Sequence, residues 1–345
     1  MTLQSLLGIE LPLIQAPMAG VQGSELALAV SNAGGLGSLP CAMLGADALR
    51  AELETLAAGT TKPFNVNFFA HKPPEPEDAR ERAWREALTP YYLEYGIDPE
   101  TIPAGGGRTP FNEEAAELVE SYTPAVVSFH FGLPENTLLE RVKATGAKVI
   151  STATTVEEAV WLDERGVDAI IAQGLEAGGH RGIFLTRDLS TQMGTFALLP
   201  QVIEAVRCPV IAAGGIADAR GIRAAMDLGA AGVQLGTAFM LCPEATTRPI
   251  HREVLKSPQA RHTALTNLFS GGPARGIMNR AMRELGPMSG VAPAFPLATS
   301  AIAPLRAKAE ASGSGDFSPL WSGQNASGCR EMPAADLVRQ LAEEL

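Results

Sequence analysis

Apolar positions along the chain follow two alternating patterns. The first consists of short runs, rich in β-branched residues, that stop at Gly, Pro or a polar side chain, as expected of parallel strands buried on both faces. Eight such runs occur, at residues 11–18, 35–40, 64–69, 125–131, 148–154, 169–174, 209–215 and 232–237. The second pattern places apolar residues at helical spacing, over residues 24–31, 46–57, 134–145, 156–165, 195–206 and 218–228. Parallel strands need long crossovers, so sustained alternation predicts either a closed barrel or a doubly wound sheet, and the count of eight selects a TIM-type (β/α)8 barrel.

Two connections exceed the others, residues 70–124 after the third run and 175–194 after the sixth. The first holds predicted helices near 80–95 and 112–121 and the Gly105-Gly106-Gly107 loop, and is long enough to wall a pocket. Beyond Thr237 the rhythm is lost. Residues 242–317 read as helical pieces broken by Gly271-Gly272-Pro273, Pro287, Pro293 and Pro296, which predicts a smaller, mainly helical cap. From Met332 onward, Pro333 in a first helical turn and Leu337, Leu341 and Leu345 at four-residue spacing predict a helix that returns to the barrel. The expected organisation is therefore a barrel over 1–241, a cap over 242–317 and a returning segment over 318–345. The 345 residues suit this, since a barrel alone takes about 250.

Composition narrows the function. Hydrophobic residues at 46% and charged residues at 19% fit a globular protein with a large core, and no apolar run approaches the roughly 20 residues that span a bilayer. No Lys or Arg precedes Arg50, so neither a secretory nor a mitochondrial leader is expected and the cytoplasm is the expected location. A net charge of −11 without basic clusters disfavours nucleic acid and anionic membranes, leaving a small molecule as the expected partner. The four cysteines and five histidines show no metal-ligand spacing, so no metal is expected and any redox chemistry would fall to an organic cofactor.

In such a barrel the loops at the strand C-termini build the active site, and those after strands seven and eight often bind phosphate. Here they read Ala213-Gly214-Gly215-Ile216 and Gln234-Leu235-Gly236-Thr237, where glycine lets backbone N–H groups approach an anion. Gln15-Ala16-Pro17-Met18 ends the first run with a surface on which a flat ring could lie. Asn67 and Gln173 end the third and sixth runs with amides suited to ring edges. Two histidines occupy strand ends. His180, among glycines in Gly178-Gly179-His180-Arg181-Gly182, is the candidate base or hydrogen-bond donor, whereas His130 by itself reads as a structural hydrogen-bonding group.

These segments, with Asn65-Val66-Asn67-Phe68 and Trp321-Ser322-Gly323-Gln324, resemble the class I nitronate monooxygenases, formerly 2-nitropropane dioxygenases, over nearly the whole chain. The resemblance implies an FMN enzyme on a TIM barrel that oxidises alkyl nitronates such as propionate 3-nitronate with O2 and without a metal. It implies FMN contacts at Met18, Asn67, Gln173, Gly178, Gly215 and Gln234 to Thr237, thus including Leu235 and Gly236, with His180 catalytic and His130 at the substrate. The family pattern carries tyrosines and a lysine in the cap, whereas residues 295–305 hold neither, and the stretch 105–111 supplies no tyrosine. Both departures suggest a larger or more apolar substrate.

Three other readings compete. An NAD(P)H-dependent FMN reductase, of quinone or enoyl-acyl-carrier type, would share the flavin site but needs a nicotinamide surface, which the sequence does not reveal. An inosine-monophosphate dehydrogenase type would need a nucleophilic cysteine in residues 175–194, which contain none. A barrel that keeps flavin only as a binding module would show no turnover. Oligomeric state is left open by the sequence.

Overall fold

A computed structural model describes residues 2–102 and 108–343. Eleven strands occur in chain order among them: β1 (Leu13–Gln15), β2 (Gly37–Pro40), β3 (Phe64–Phe69), β4 (Val126–His130), β5 (Lys148–Ala153), β6 (Ala169–Gln173), β7 (Gly179–His180), β8 (Val210–Ala213), β9 (Gly232–Leu235), β10 (Thr263–Thr266) and β11 (Ala274–Ile277). Eight of them pair in parallel in the order β1-β9-β8-β6-β5-β4-β3-β2. A parallel bridge between Ile14 and Leu36, with Gln15 N donating to Leu36 O at 2.9 Å, joins the two ends. The sheet is thus a TIM barrel, as the alternation predicts.

The observed strands are shorter than the apolar runs because their C-terminal residues leave the ladder to line the mouth. Pro17 has no N–H to donate, and Gly214 and Gly215 take positive φ, +114° and +73°. Period-two alternation sorts the rest. Val66, Phe68, Val127, Phe129, Ile170, Ala172, Val233 and Leu235 point outward into the core shared with the helices. Ile14, Leu36, Val126, Ile150, Ile171 and Ile211 point inward, where Leu3 and Leu7 join them from a short helix, Leu3–Leu7, that the apolar pattern does not mark. This apolar plug fills the barrel toward the strand N-termini. The C-terminal mouth is left to polar inward residues.

The insertion after β3 is not a lid of loops. Its helix Asp78–Glu94 packs on the helix Thr299–Ala311, and Trp84, Leu88, Tyr92, Phe269, Ile302 and Phe317 share a second apolar core. Trp84 Nε1 donates to Ala298 O at 3.2 Å and Tyr92 OH to Ala301 O at 2.6 Å, so the buried polar tips of both rings are satisfied. Alongside its helices, the region beyond β9 contributes β10 and β11, an antiparallel pair whose third neighbour is β7. The C-terminal helix Ala334–Ala342 packs on the helices Ser24–Asn32 and Ala219–Asp227 and buries Leu337 and Leu341, while Leu345 and the Gly105-Gly106-Gly107 loop fall outside the described residues. No helix among the described residues is long and apolar enough to cross a membrane.

Close helix-on-strand packing makes Gly37 a sensitive point. A Cβ there would stand 1.9 Å from Ala27 O in the helix Ser24–Asn32, whereas one at Gly45 would meet nothing within 4 Å. Gly37→Ala is expected to cost about 3 kcal/mol or more, with Gly45→Ala below about 1 kcal/mol. Urea denaturation of the two variants checks the contrast.

Candidate active site

The inward residues at the strand C-termini meet in one cleft. Asn67 and Phe69 of β3, Ser128 and His130 of β4, Thr152 of β5, Gln173 of β6, Ala213 of β8 and Gln234 of β9 line it. Its volume is about 1320 Å³ with open solvent at the mouth included. Met18, Gly178, Gly215, Gly236 and Thr237 also lie on its wall, so most residues expected from sequence come together here. Leu235 does not line the cleft: alternation turns its side chain outward, 1% exposed, into the helix-facing core, and its carbonyl accepts Ala16 N at 2.8 Å.

His180 is delivered by a chain reversal. After β6 the backbone turns back, so that β7 pairs antiparallel with β11, His180 opposite Ala274 and Gly179 opposite Arg275. Gly179 takes φ +71°, a conformation glycine enters without strain. The His180 carbonyl accepts Gln173 Nε2 at 3.0 Å and His130 Nε2 at 3.1 Å, while Gln173 Oε1 accepts Gly182 N at 2.8 Å. The Gln173 amide therefore orders the loop that carries His180. His130 must donate through Nε2, because a carbonyl only accepts, and its Nδ1 is left to accept the Thr152 hydroxyl at 3.2 Å. Both ring nitrogens of His130 are thus engaged within the protein. Asn67 Nδ2 donates to Ser128 Oγ at 2.9 Å.

The His180 ring projects into the cleft with Nε2 2.8 Å from Ser270 Oγ, a cap residue that sequence reasoning does not single out. Phe295 and Trp321 ring centres lie 5.2 and 5.4 Å from it, and Phe69 and Phe131 stand further around it. Loss of hydration, followed by the positive charge of Arg108 and the rings of His130 and His71, holds its pKa well below the ordinary 6.5. His180 is therefore neutral at pH 7.

Across the mouth, the glycine loops after β8 and β9 are closed from outside by residues 321–325. Gly323 N donates to Thr237 Oγ1 at 3.0 Å, Gln324 N to Glu176 O at 2.9 Å and Asn325 Nδ2 to Gly215 O at 3.1 Å. Gly178 lies flush against this segment, since a Cβ on it would be 2.5 Å from Gly323 N. Gln234 Oε1 is buried without a hydrogen-bond partner at the cleft wall. A carboxamide oxygen in that state calls for a donor from an occupant. Among the described residues no cluster of His, Cys, Asp or Glu could hold a metal ion.

Arg108 stands at the cleft beside Phe69 and Phe295, and nothing in the sequence pattern distinguishes it from a loop arginine. The wall expected to be apolar therefore carries a cation.

The model of the nitronate monooxygenase family matches residues 1–344. The chain belongs to the nitronate monooxygenase family. It is 46% identical to a nitronate monooxygenase of Pseudomonas aeruginosa over 99% of this chain and 97% of that one, and 43% identical to one of Paraburkholderia phytofirmans over 99% and 93%. Among solved structures, a nitroalkane oxidase from Streptomyces ansochromogenes is 39% identical with a TM-score of 0.90, covering 99% of this chain and 97% of that one. FabK from Thermotoga maritima is more distant, 28% identical with a TM-score of 0.74 over 100% and 96%. The family thus matches the resemblance read from the strand-end motifs.

Burial of neutral histidines in this family member has a consequence for stability. His130 is lowered to about 4 by burial, as is His251, whose ring bonds the Trp321 backbone. Above pH 6.5 both states are neutral and nothing is gained or lost. As pH falls from 6.5 toward 4 the unfolded chain binds protons that the folded chain refuses, so stability drops, by on the order of 3 kcal/mol for each such histidine. Urea unfolding at pH 7, 6 and 5 should show this decline, and a flat profile would contradict it.

Proposed function

We propose that this protein is an FMN-dependent nitronate monooxygenase of the cytoplasm that oxidises alkyl nitronates of the propionate 3-nitronate type with O2. The observation that carries the reading is the shared cleft, in which a neutral, precisely bonded His180 faces backbone glycine loops across a barrel mouth. FMN fits the residues present. Gly178, Gly215, Gly236 and Thr237 would hold its phosphate, with Leu235 only fixing the strand end behind them, and Met18, Asn67, Gln173 and Gln234 would border its ring. The partnerless Gln234 oxygen would accept a ring N–H. When bound, the flavin supplies the acceptor for electrons leaving the nitronate and their route to oxygen.

The chain's own groups do the rest. A neutral imidazole can take the α-proton of a nitroalkane at one ring nitrogen, while the 2.8 Å contact with Ser270 fixes the ring's direction. A substrate that arrives as the nitronate needs no base, and His180 then orients it. His130 acts through His180, since its Nε2–H holds the His180 carbonyl. Phe69 and Trp321 exclude water from the reacting end.

Anaerobic mixing of the yellow protein with propionate 3-nitronate should bleach the flavin, and aeration should consume O2, with no response to NADH or NADPH. Bleaching by a nicotinamide alone would instead make the protein a reductase, and silence with all three would leave either a different substrate or a binding module. His180→Asn should retain flavin while turnover of neutral nitroalkanes falls by about 100-fold or more, the usual worth of a general base. Undiminished turnover would remove His180 from the reaction.

A further inference from the structure

Arg108 has the position of a ligand-binding residue, and among the described residues its guanidinium has no hydrogen-bond acceptor or carboxylate partner. Its Nη1 is sealed from solvent without an acceptor, and burial alone lowers its pKa, with no carboxylate acting on it. No Asp or Glu lines the cleft, and Arg108 is the one Lys or Arg that does, among the described residues. Its guanidinium carbon lies 5.9 Å from the Phe69 ring centre and 5.5 Å from that of Phe295, so the planar cation rests on aromatic faces. The neighbouring His71 donates through Nε2 to Arg108 O at 3.1 Å, which leaves His71 Nδ1 as another buried atom lacking a partner. Arg108 is half-buried, and a guanidinium nitrogen sealed from water without an acceptor is costly unless a bound group supplies one.

An FMN phosphate held at the glycine loops as proposed would not be that group. Its glycine loops follow β8 and β9, whereas Arg108 is held beside the end of β3, where Phe111 N donates to Phe69 O at 2.8 Å. In the barrel order β3 lies three or more strands from both β8 and β9. His180, by contrast, is close: its ring centre and the Arg108 guanidinium carbon both lie within 5.5 Å of the Phe295 ring centre.

Resting on the function proposed above, we infer that Arg108 is a specificity-determining residue that binds a carboxylate at the far end of a short aliphatic nitronate, while the nitronate end faces His180. The carbon chain between the two ends would cross the faces of Phe69 and Phe295, and the guanidinium fork would take the carboxylate oxygens. On this assignment the pocket lacks the tyrosines of the family pattern but has a polar terminus in the Arg108 guanidinium.

The test compares propionate 3-nitronate with the propyl nitronate of 1-nitropropane, which lacks the carboxylate, on the holoprotein and its Arg108→Met and Arg108→Lys variants. Arg108→Met should lower the ratio of kcat/KM for the carboxylated over the neutral nitronate by about tenfold or more, chiefly through KM, and Arg108→Lys should restore part of it. A ratio unchanged within about twofold in Arg108→Met would overturn the assignment. Calorimetric titration with butyrate and butyramide separates this from the nitronate reading, since neither probe is turned over. Preference for butyrate that Arg108→Met abolishes would sustain the anion site even if no nitronate reacts; equal binding of the two probes to the wild-type protein would sink it.

Discussion

The geometry of the cleft depends on one buried cation, Arg181. Its guanidinium is wholly inaccessible and donates to Gln173 O and Gly174 O, each at 2.6 Å, and to Gln192 Oε1 at 2.9 Å. Burial lowers its pKa to about 10, so it remains charged at pH 7 and its bonds to carbonyls are of the stronger, charge-assisted kind. Those carbonyls belong to the exit of β6, where a barrel strand must stop and a long connection begin. Strand alternation then does the remaining work, because fixing Arg181 away from the mouth sends its neighbour His180 into it.

A second buried charge complements it. Glu158 Oε2 accepts Thr154 N and its hydroxyl, both at 2.7 Å, and Oε1 accepts Phe184 N at 2.6 Å. The Gln192 amide links the two, accepting from Arg181 and donating to Thr154 Oγ1 at 2.9 Å. Residues 174–192 are thereby tied to the end of β6, to Thr154 just after β5 and to Glu158 in the helix Val156–Glu164. The loop in turn carries the cap, since Arg181 N donates to Pro273 O at 2.8 Å just before β11. The same strand pairing brings the cap to the barrel mouth, where Ser270 meets His180. Pre-organisation of that kind lets a site form without an ordering cost when substrate arrives.

Much of this was legible in the residues. Eight apolar runs located the barrel, and their termini located the mouth; counting alternate residues back from Asn67, His130, Gln173 and Gln234 even separates inward from outward side chains. The same count would have shown Leu235 to be outward. The β10–β11 pair escaped because Thr263–Thr266 and Ala274–Ile277 are four residues each, with Arg275 inside one of them, and their identity as strands comes from pairing with β7 rather than from their own periodicity. Arg108 and Ser270 escaped for a different reason. Their roles arise from long-range juxtaposition, Arg108 with Phe295 and Ser270 with His180, and no local pattern encodes either meeting.

Charge is distributed against the chain's average. The protein has a net charge of −11, yet among the described residues its cleft wall carries no carboxylate and one Lys or Arg, so the local potential opposes the global one. The same cation helps to keep His180 unprotonated. These two facts are coupled. An anion that neutralises Arg108 removes part of what depresses the His180 pKa, and an anionic group beside the imidazole raises it further. With an anion bound at Arg108 as proposed, the histidine would move toward a state in which it can keep a proton it has just taken. The neutral imidazole would serve as the base and the bound anion would then stabilise its conjugate acid, which is the order in which proton abstraction needs them.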